Sequence, residues 1–488
     1  MAELKTLSWL AIVRLGLIQT CLGALIFLPT NTLNRIMVVE YALAASVPGF
    51  LITLHHVVQL ARPYIGYGSD AGGRRTPWIV GGMIILAIGS MTAAYGATLA
   101  NELGWIGHII AALGYLLIGV GSGAAGTSLL VLLSKQVSDQ RKPAAASLVW
   151  FMMIMGFAVT GGVTGQLLDP FSETRLLTVV CGTAAIALLV TFTAIIGVEK
   201  PIDPATTSAI KSEPKPPFAD AIKEVWAEDH ARRFTIFVFA SMLAYSAQDL
   251  ILEPFVGLTF GWTVGETTAL AGIQHAGMLL GMFAMAVSTY AFKSRTRHVL
   301  HLWIRGGCIV SAISLTLLAF GGMTSTNWPI NLNVFVLGVA NGSFAVAAIG
   351  GMMMLAGQGR KQRDGLRMGL WGAAQAISFA MGGFLGTVAV DITGLWLSNP
   401  AASYGLVFLA EAILFIWAAS LIFNIDQQVN ADANGSDVDD TFALKNQLGG
   451  VTPGAIEKQT TMSLLSVVAL QALLQLTKLR SQDTKSCC

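Results

Sequence analysis

Two adjacent histidines, His55 and His56, stand inside one apolar stretch, and a third, His275, stands in another, 220 residues beyond His55. A neutral imidazole is a metal ligand through whichever ring nitrogen keeps its lone pair, and an ionisable side chain within lipid marks a functional site by default. The plainer role is that of polar cavity residues hydrogen-bonded to neighbouring helices. Successive helical residues point about 100° apart, so at most one of His55 and His56 faces a given ligand. A second set is acidic: Asp249 and Glu253 are four residues apart, hence on one helical face, just before Pro254. Two carboxylates in such a segment bind a cation, carry a proton, grip a polypeptide or pair with a base. Pairing with Arg35 is the expectation, because each unpaired charge at membrane depth costs about 3 kcal/mol on insertion scales. Arg14 and Arg305 sit near the ends of their stretches and are expected to snorkel to the headgroups. Glu411 lies deeper from either side and has no specific role assigned.

Other chemistries lack their patterns. The five cysteines form no Cys-x-x-Cys pair, which leaves no structural zinc site and no disulfide framework. Gly121, Gly123 and Gly126 have the spacing of a nucleotide loop but fall inside an apolar helix rather than after a strand, so a nucleotide site is rejected. Asp437, Asp439 and Asp440 form the one aspartate-rich cluster, and they lie in a polar tail, away from any place where a membrane enzyme would hold magnesium and diphosphate. With no nucleophile triad and no metal-ligand spacing, neither a catalytic residue, a dedicated metal site nor an enzymatic activity is expected. The formal charge is +2 and no basic block is interleaved with aromatics, so nucleic acid is not an expected partner.

The elements that must position these residues follow from composition. Of 488 residues, 54% are hydrophobic and 11% charged, against roughly 25% charged in soluble proteins. Apolar runs long enough to cross the roughly 30 Å hydrocarbon layer recur along the chain, and each must be a helix, since lipid offers no partner to an open backbone group. The expected spans are 9–28, 44–66, 77–99, 105–134, 144–168 and 176–198, then 234–258, 266–292, 299–321, 328–357, 368–394 and 402–425. The fold class is therefore an all-α membrane protein of twelve transmembrane helices, in two six-helix bundles at 1–198 and 234–425. Between them, 199–233 carries five prolines and reads as a cytoplasmic linker whose Phe218, Ile222, Val225 and Trp226 form the stripe of a surface helix. The tail, 426–488, holds a candidate helix near 453–480 and is expected to stay cytoplasmic. Alternate loops hold 18 Lys and Arg, against Arg35 and Arg175 in the opposite loops, which predicts that both termini are cytoplasmic.

The halves repeat. Trp150, Gly162 and Gly165 have the mutual spacing of Trp371, Gly383 and Gly386 at an offset of 221, and Pro29 and Pro254, expected to close helices 1 and 7, repeat at 225. Parallel six-helix repeats of this kind build major facilitator transporters, with a cavity between the halves. The loop after helix 2, with Gly66, Asp70, Gly73, Arg74 and Arg75, resembles the signature of that superfamily at this place. Four further stretches sharpen the resemblance. They are Thr30 to Glu40 with Asn31, Asn34 and Arg35; Gln59 to Pro63, running into the Gly66 loop; Ser246 to Pro254; and Arg367, Trp371 and Gln375, preceded by Asn341, Gly342 and Phe344. Together they resemble the PucC/LhaA family of purple phototrophic bacteria over residues 1 to about 425.

That resemblance implies an antenna (light-harvesting) assembly factor of the bacterial inner, intracytoplasmic membrane, with bacteriochlorophyll as cargo. Its implied partners are antenna polypeptides, the reaction-centre core complex and pigment-synthesis enzymes. His55, His56 and His275 are then candidate ligands for the pigment magnesium, although that metal prefers oxygen and a water or carbonyl serves as well. The alternative is a proton-coupled secondary transporter of a small solute or tetrapyrrole.

Overall fold

The computed structural model describes residues 7–59, 74–137, 141–199, 229–292, 296–324, 328–356 and 364–421. Among these the regular elements are all helices. The helices are α1 (Trp9–Glu40), α2 (Ser46–Gln59), α3 (Thr76–Leu103), α4 (Trp105–Gln136), α5 (Lys142–Leu167) and α6 (Glu173–Ile195), then α7 (Asp229–Phe260), α8 (Val264–Ala291), α9 (Thr296–Thr324), α10 (Ile330–Ala356), α11 (Asp364–Gly394) and α12 (Pro400–Leu421). Eleven are long and apolar enough to span a bilayer; α2 has 14 described residues and stops where description stops. The chain is a multi-pass membrane protein. Gly66, Asp70 and Gly73, the linker helix at 218–226 and the tail with its 453–480 helix lie outside the described residues. So do the side chains of Arg367 and Trp371, although α11 carries both.

Two buried clusters organise the packing, one built mainly from residues before 199 and the other mainly from residues after 233. In the first, α3 lies along α4, α2 along α4, and α1 along α5; in the second, α9 and α8 lie along α10, and α7 along α11. Small residues set the closest approaches. A side chain at Gly342 of α10 would meet the Met278 Cα of α8 at 2.6 Å, and one at Gly121 of α4 would meet the Gly82 carbonyl of α3 at 2.7 Å. Two seams join the clusters, α5 against α8 and α2 against α11.

The prolines do not close their helices. α1 continues past Pro29 to Glu40 through two π turns, and α7 continues past Pro254 to Phe260. The stretch Thr30 to Glu40, expected as a loop, is therefore helical. Lipid-embedded helices tolerate proline where side chains and wider turns satisfy the freed carbonyls. Thr30 Oγ1 donates to the Ile26 carbonyl at 2.9 Å, and Asn31 Nδ2 to the Phe27 carbonyl at 3.2 Å. Pro254 has no N–H for the carbonyl of Leu250, four residues back, and Asn34 Nδ2 of α1 supplies the bond instead at 2.5 Å.

Candidate functional site

The acidic residues lie deeper than the sequence implied. With α7 ending at Phe260, Glu253 stands about 10 Å from the helix end rather than at it. Asp249, Glu253 and Gly257 follow one another at four-residue steps on one stripe. Gln274 of α8 donates to Asp249 across a long 3.4 Å, and Tyr245, one turn earlier, is in its electrostatic reach. Glu411 of α12 also feels Asp249. Glu253 and Glu411 are 2% and 3% exposed, and no oxygen of either carboxyl accepts a hydrogen bond among the described residues. Gln248, fully buried, likewise has both amide atoms unsatisfied. In an apolar interior such groups are costly unless they serve a ligand, a proton or a second conformation.

Arg35 does not pair with these carboxylates. It is 2% exposed, forms its ion pair with Glu40, one helical turn on, and donates through Nη2 to the Trp262 carbonyl at 2.7 Å. Its guanidinium rests on Gly257, where a side chain would meet Nε at 3.1 Å. Arg35 thus stands one turn beyond Glu253, within electrostatic range of it but outside ion-pair distance. Of the expected set, Glu253 lies within electrostatic range of both Asp249 and Arg35, while the ion pair of Arg35 is with Glu40, a residue that periodicity gave no reason to choose. Just past the span, burial and then the adjacent Glu173 push the Tyr41 phenol up, which keeps it a donor to Glu173 at 3.1 Å.

The histidines divide between the two seams. His275 of α8 is buried with Nδ1 2.8 Å from the Ala271 carbonyl, a contact that places the proton on Nδ1 and the lone pair on Nε2. Phe157 of α5 and Phe27 of α1 stand edge-on to its ring, with centroids at 5.0 and 5.9 Å. His56 faces the opposite seam, 5.8 Å from the ring of Phe379 in α11. His55 is buried, its Nε2 2.7 Å from Gln59 Nε2, and its carbonyl lies against Gly119 of α4. The three do not converge, and no metal-holding group of three His, Cys, Asp or Glu occurs among the described residues. Gln375 of α11 reaches Met242 of α7 at 3.8 Å.

At the basic end, Glu199 caps α3, accepting from the backbone of Arg75 at 2.6 Å and of Thr76 at 2.8 Å. Arg75 is buried there and Arg74 exposed. Arg14 donates to the Thr193 and Ile196 carbonyls that end α6, a helix cap where snorkelling was expected. Sequence reasoning missed Asn34 as a backbone donor, Gln248 as a buried amide, and the aspartates Asp169 and Asp391. The last pair carried a signal, for 391 follows 169 by 222 residues, the offset of the repeat.

A family model described as the PUCC protein matches residues 32–429. The bacteriochlorophyll synthase 44.5 kDa chain of Rhodobacter capsulatus is 45% identical over 417 residues, covering 85% of this chain and 95% of that protein. Protein PucC of Cereibacter sphaeroides is 29% identical over 417 residues, covering 82% and 88%. Among solved structures, a D-xylose-proton symporter superposes with a TM-score of 0.64 at 14% identity, over 86% of this chain and 97% of that one. At that identity the likeness is one of fold, and the fold is that of the major facilitator transporters.

Proposed function

The chain belongs to the PUCC protein family, and from that premise we propose that it is an assembly factor for photosynthetic antenna complexes, which binds nascent antenna polypeptides and delivers bacteriochlorophyll to them. The observation that carries this reading is the match along most of the chain to relatives named for PucC and for bacteriochlorophyll synthesis. The histidines support the pigment half. His275 keeps Nε2 as its lone-pair nitrogen and lies beneath two phenylalanines of the opposite bundle, so parting the α5–α8 seam would expose both an axial ligand and aromatic faces. The carrier role proposed is non-enzymatic, in keeping with the family and the transporter-like fold, and the word synthase belongs to the relative. The membrane is the bacterial inner membrane, with both termini in the cytoplasm by the distribution of Lys and Arg.

Gentle purification from phototrophic membranes, followed by an absorption spectrum and identification of co-purifying proteins, tests the proposal. Bacteriochlorophyll bands together with antenna polypeptides are expected. A colourless protein without antenna partners, from cells that make both, would overturn it. A second reading, proton-coupled transport of a small solute or tetrapyrrole, is favoured by one observation: Glu253 and Glu411, buried without donors, are of the type that exchanges protons during transport. It predicts proton-dependent uptake into vesicles that Asp249→Asn abolishes.

A further inference from the structure

The two seams end in two aspartates placed alike. Asp391, on the last turn of α11, reaches across to the start of α2. Its Oδ1 accepts from the backbone N–H of Ala45 and its Oδ2 from that of Ser46, both at 2.8 Å. Asp169, just beyond α5, reaches across to the start of α8. Its Oδ2 accepts from the Thr263 hydroxyl at 2.8 Å, and the same hydroxyl accepts from the Glu266 N–H as the cap of α8. Gly265 makes room, since a side chain there would meet the Asp169 carboxylate at 2.5 Å. The 222-residue offset makes the aspartates repeat partners, and Ser46 and Val264, the first residues of α2 and α8, are separated by 218. Each bundle therefore lays a carboxylate on the helix N-terminus of the other, where free N–H groups and the helix dipole favour negative charge.

We propose that Asp169 and Asp391 are paired latches that hold the two bundles together at the end poor in Lys and Arg, so that parting this end requires both carboxylates to leave the N-termini of α8 and α2. Immediately inside the latches the seams are packed without slack. Thr387, one turn before Asp391, presses on Gly49 of α2, and a side chain at Gly161 of α5 would meet the Gly272 backbone of α8 at 2.7 Å. Surfaces this close come apart as a unit, leaving the terminal contacts as the elements that set how often they do. The latches are unequal. Asp391 has a backbone donor on each oxygen, whereas Asp169 has one hydroxyl and a buried Oδ1 with no donor among the described residues.

The test reads the opening of the α2–α11 seam in full-length protein in lipid nanodiscs. Thr387 is fully buried, so in a T387C background the alkylation rate of that thiol reports the open fraction. Peptide mass spectrometry follows it beside Cys308, which is fully buried within the second bundle and reports unfolding. D391N is expected to raise the T387C rate about tenfold and D169N about threefold, with the effects multiplying in the double variant because both act on one opening. Ser46→Pro places proline at the first helical position, where it is tolerated, and removes one N–H donor while keeping both aspartates, so it too is expected to raise the rate. An unchanged T387C rate in the double variant, with Cys308 protected, overturns the latches. So does a rise that Cys308 shares equally, which would mean that the carboxylates hold the bundles folded rather than joined.

Discussion

Helices α1 and α7 occupy the same place in the two halves, yet they differ in what they bury and in how they accommodate proline. At the repeat offset of 225, Asp249 and Glu253 of α7 correspond to Ala24 and Leu28 of α1. α1 absorbs Pro29 with π turns and its own Thr30 and Asn31; α7 absorbs Pro254 with an amide borrowed from α1. Past the prolines the polarity reverses, for α1 carries Asn34 and Arg35 where α7 carries Thr259 and Phe260. The repeat therefore sets the scaffold, while the polar chemistry is complementary: the second half provides the acids and the first half provides the donors that sit beside them. One such site forms between the halves rather than one within each.

Breaking the donor side should have the largest effect. Arg35→Leu strands Glu40, the Trp262 carbonyl and the neighbouring Glu253, and should cost about 2–4 kcal/mol, short of the full penalty for a buried pair because the Glu40 side chain is 34% exposed. A clear drop in the thermal unfolding temperature of the purified protein checks it, and an unchanged temperature would show Arg35 to be idle. Asn34→Ala should cost about 1–3 kcal/mol by leaving the Leu250 carbonyl without a donor. Pro254→Ala returns an N–H to that carbonyl, so Asn34→Ala made in that background should cost far less; equal losses in the two backgrounds would separate the asparagine from the proline.

The acid side should behave oppositely. Glu411→Met exchanges a carboxyl without donors for an apolar side chain of similar length, and should leave stability unchanged or raise it by about 1–3 kcal/mol while antenna accumulation in cells falls. A loss of stability would make Glu411 structural and end the comparison. The smallest effect belongs away from both helices' polar stripes: Arg14→Ala, which removes a cap from α6, should cost about 0.5–1 kcal/mol and leave antenna levels intact.

The helical spans were legible because a run of apolar residues in lipid has one backbone solution, and hydropathy alone locates such runs. Pro29 and Pro254 were misread as helix ends because proline's missing N–H is visible in sequence whereas the group that compensates for it is not. Asp249 and Glu253 were legible as a face from their spacing. That Arg35 turns to Glu40, and that Glu411 comes near Asp249 from the last helix, was not.

The amino-acid order by itself determined the apolar helical spans, the internal repeat and the family, since these rest on local hydropathy and motif spacing. Only the tertiary structure decided which side chains meet. Asn34 finds the Leu250 carbonyl across 216 residues and Asp391 finds Ala45 across 346. Periodicity tells which face of a helix is buried, but the identity of the group opposite is set by how two bundles close on each other, and no local pattern records that.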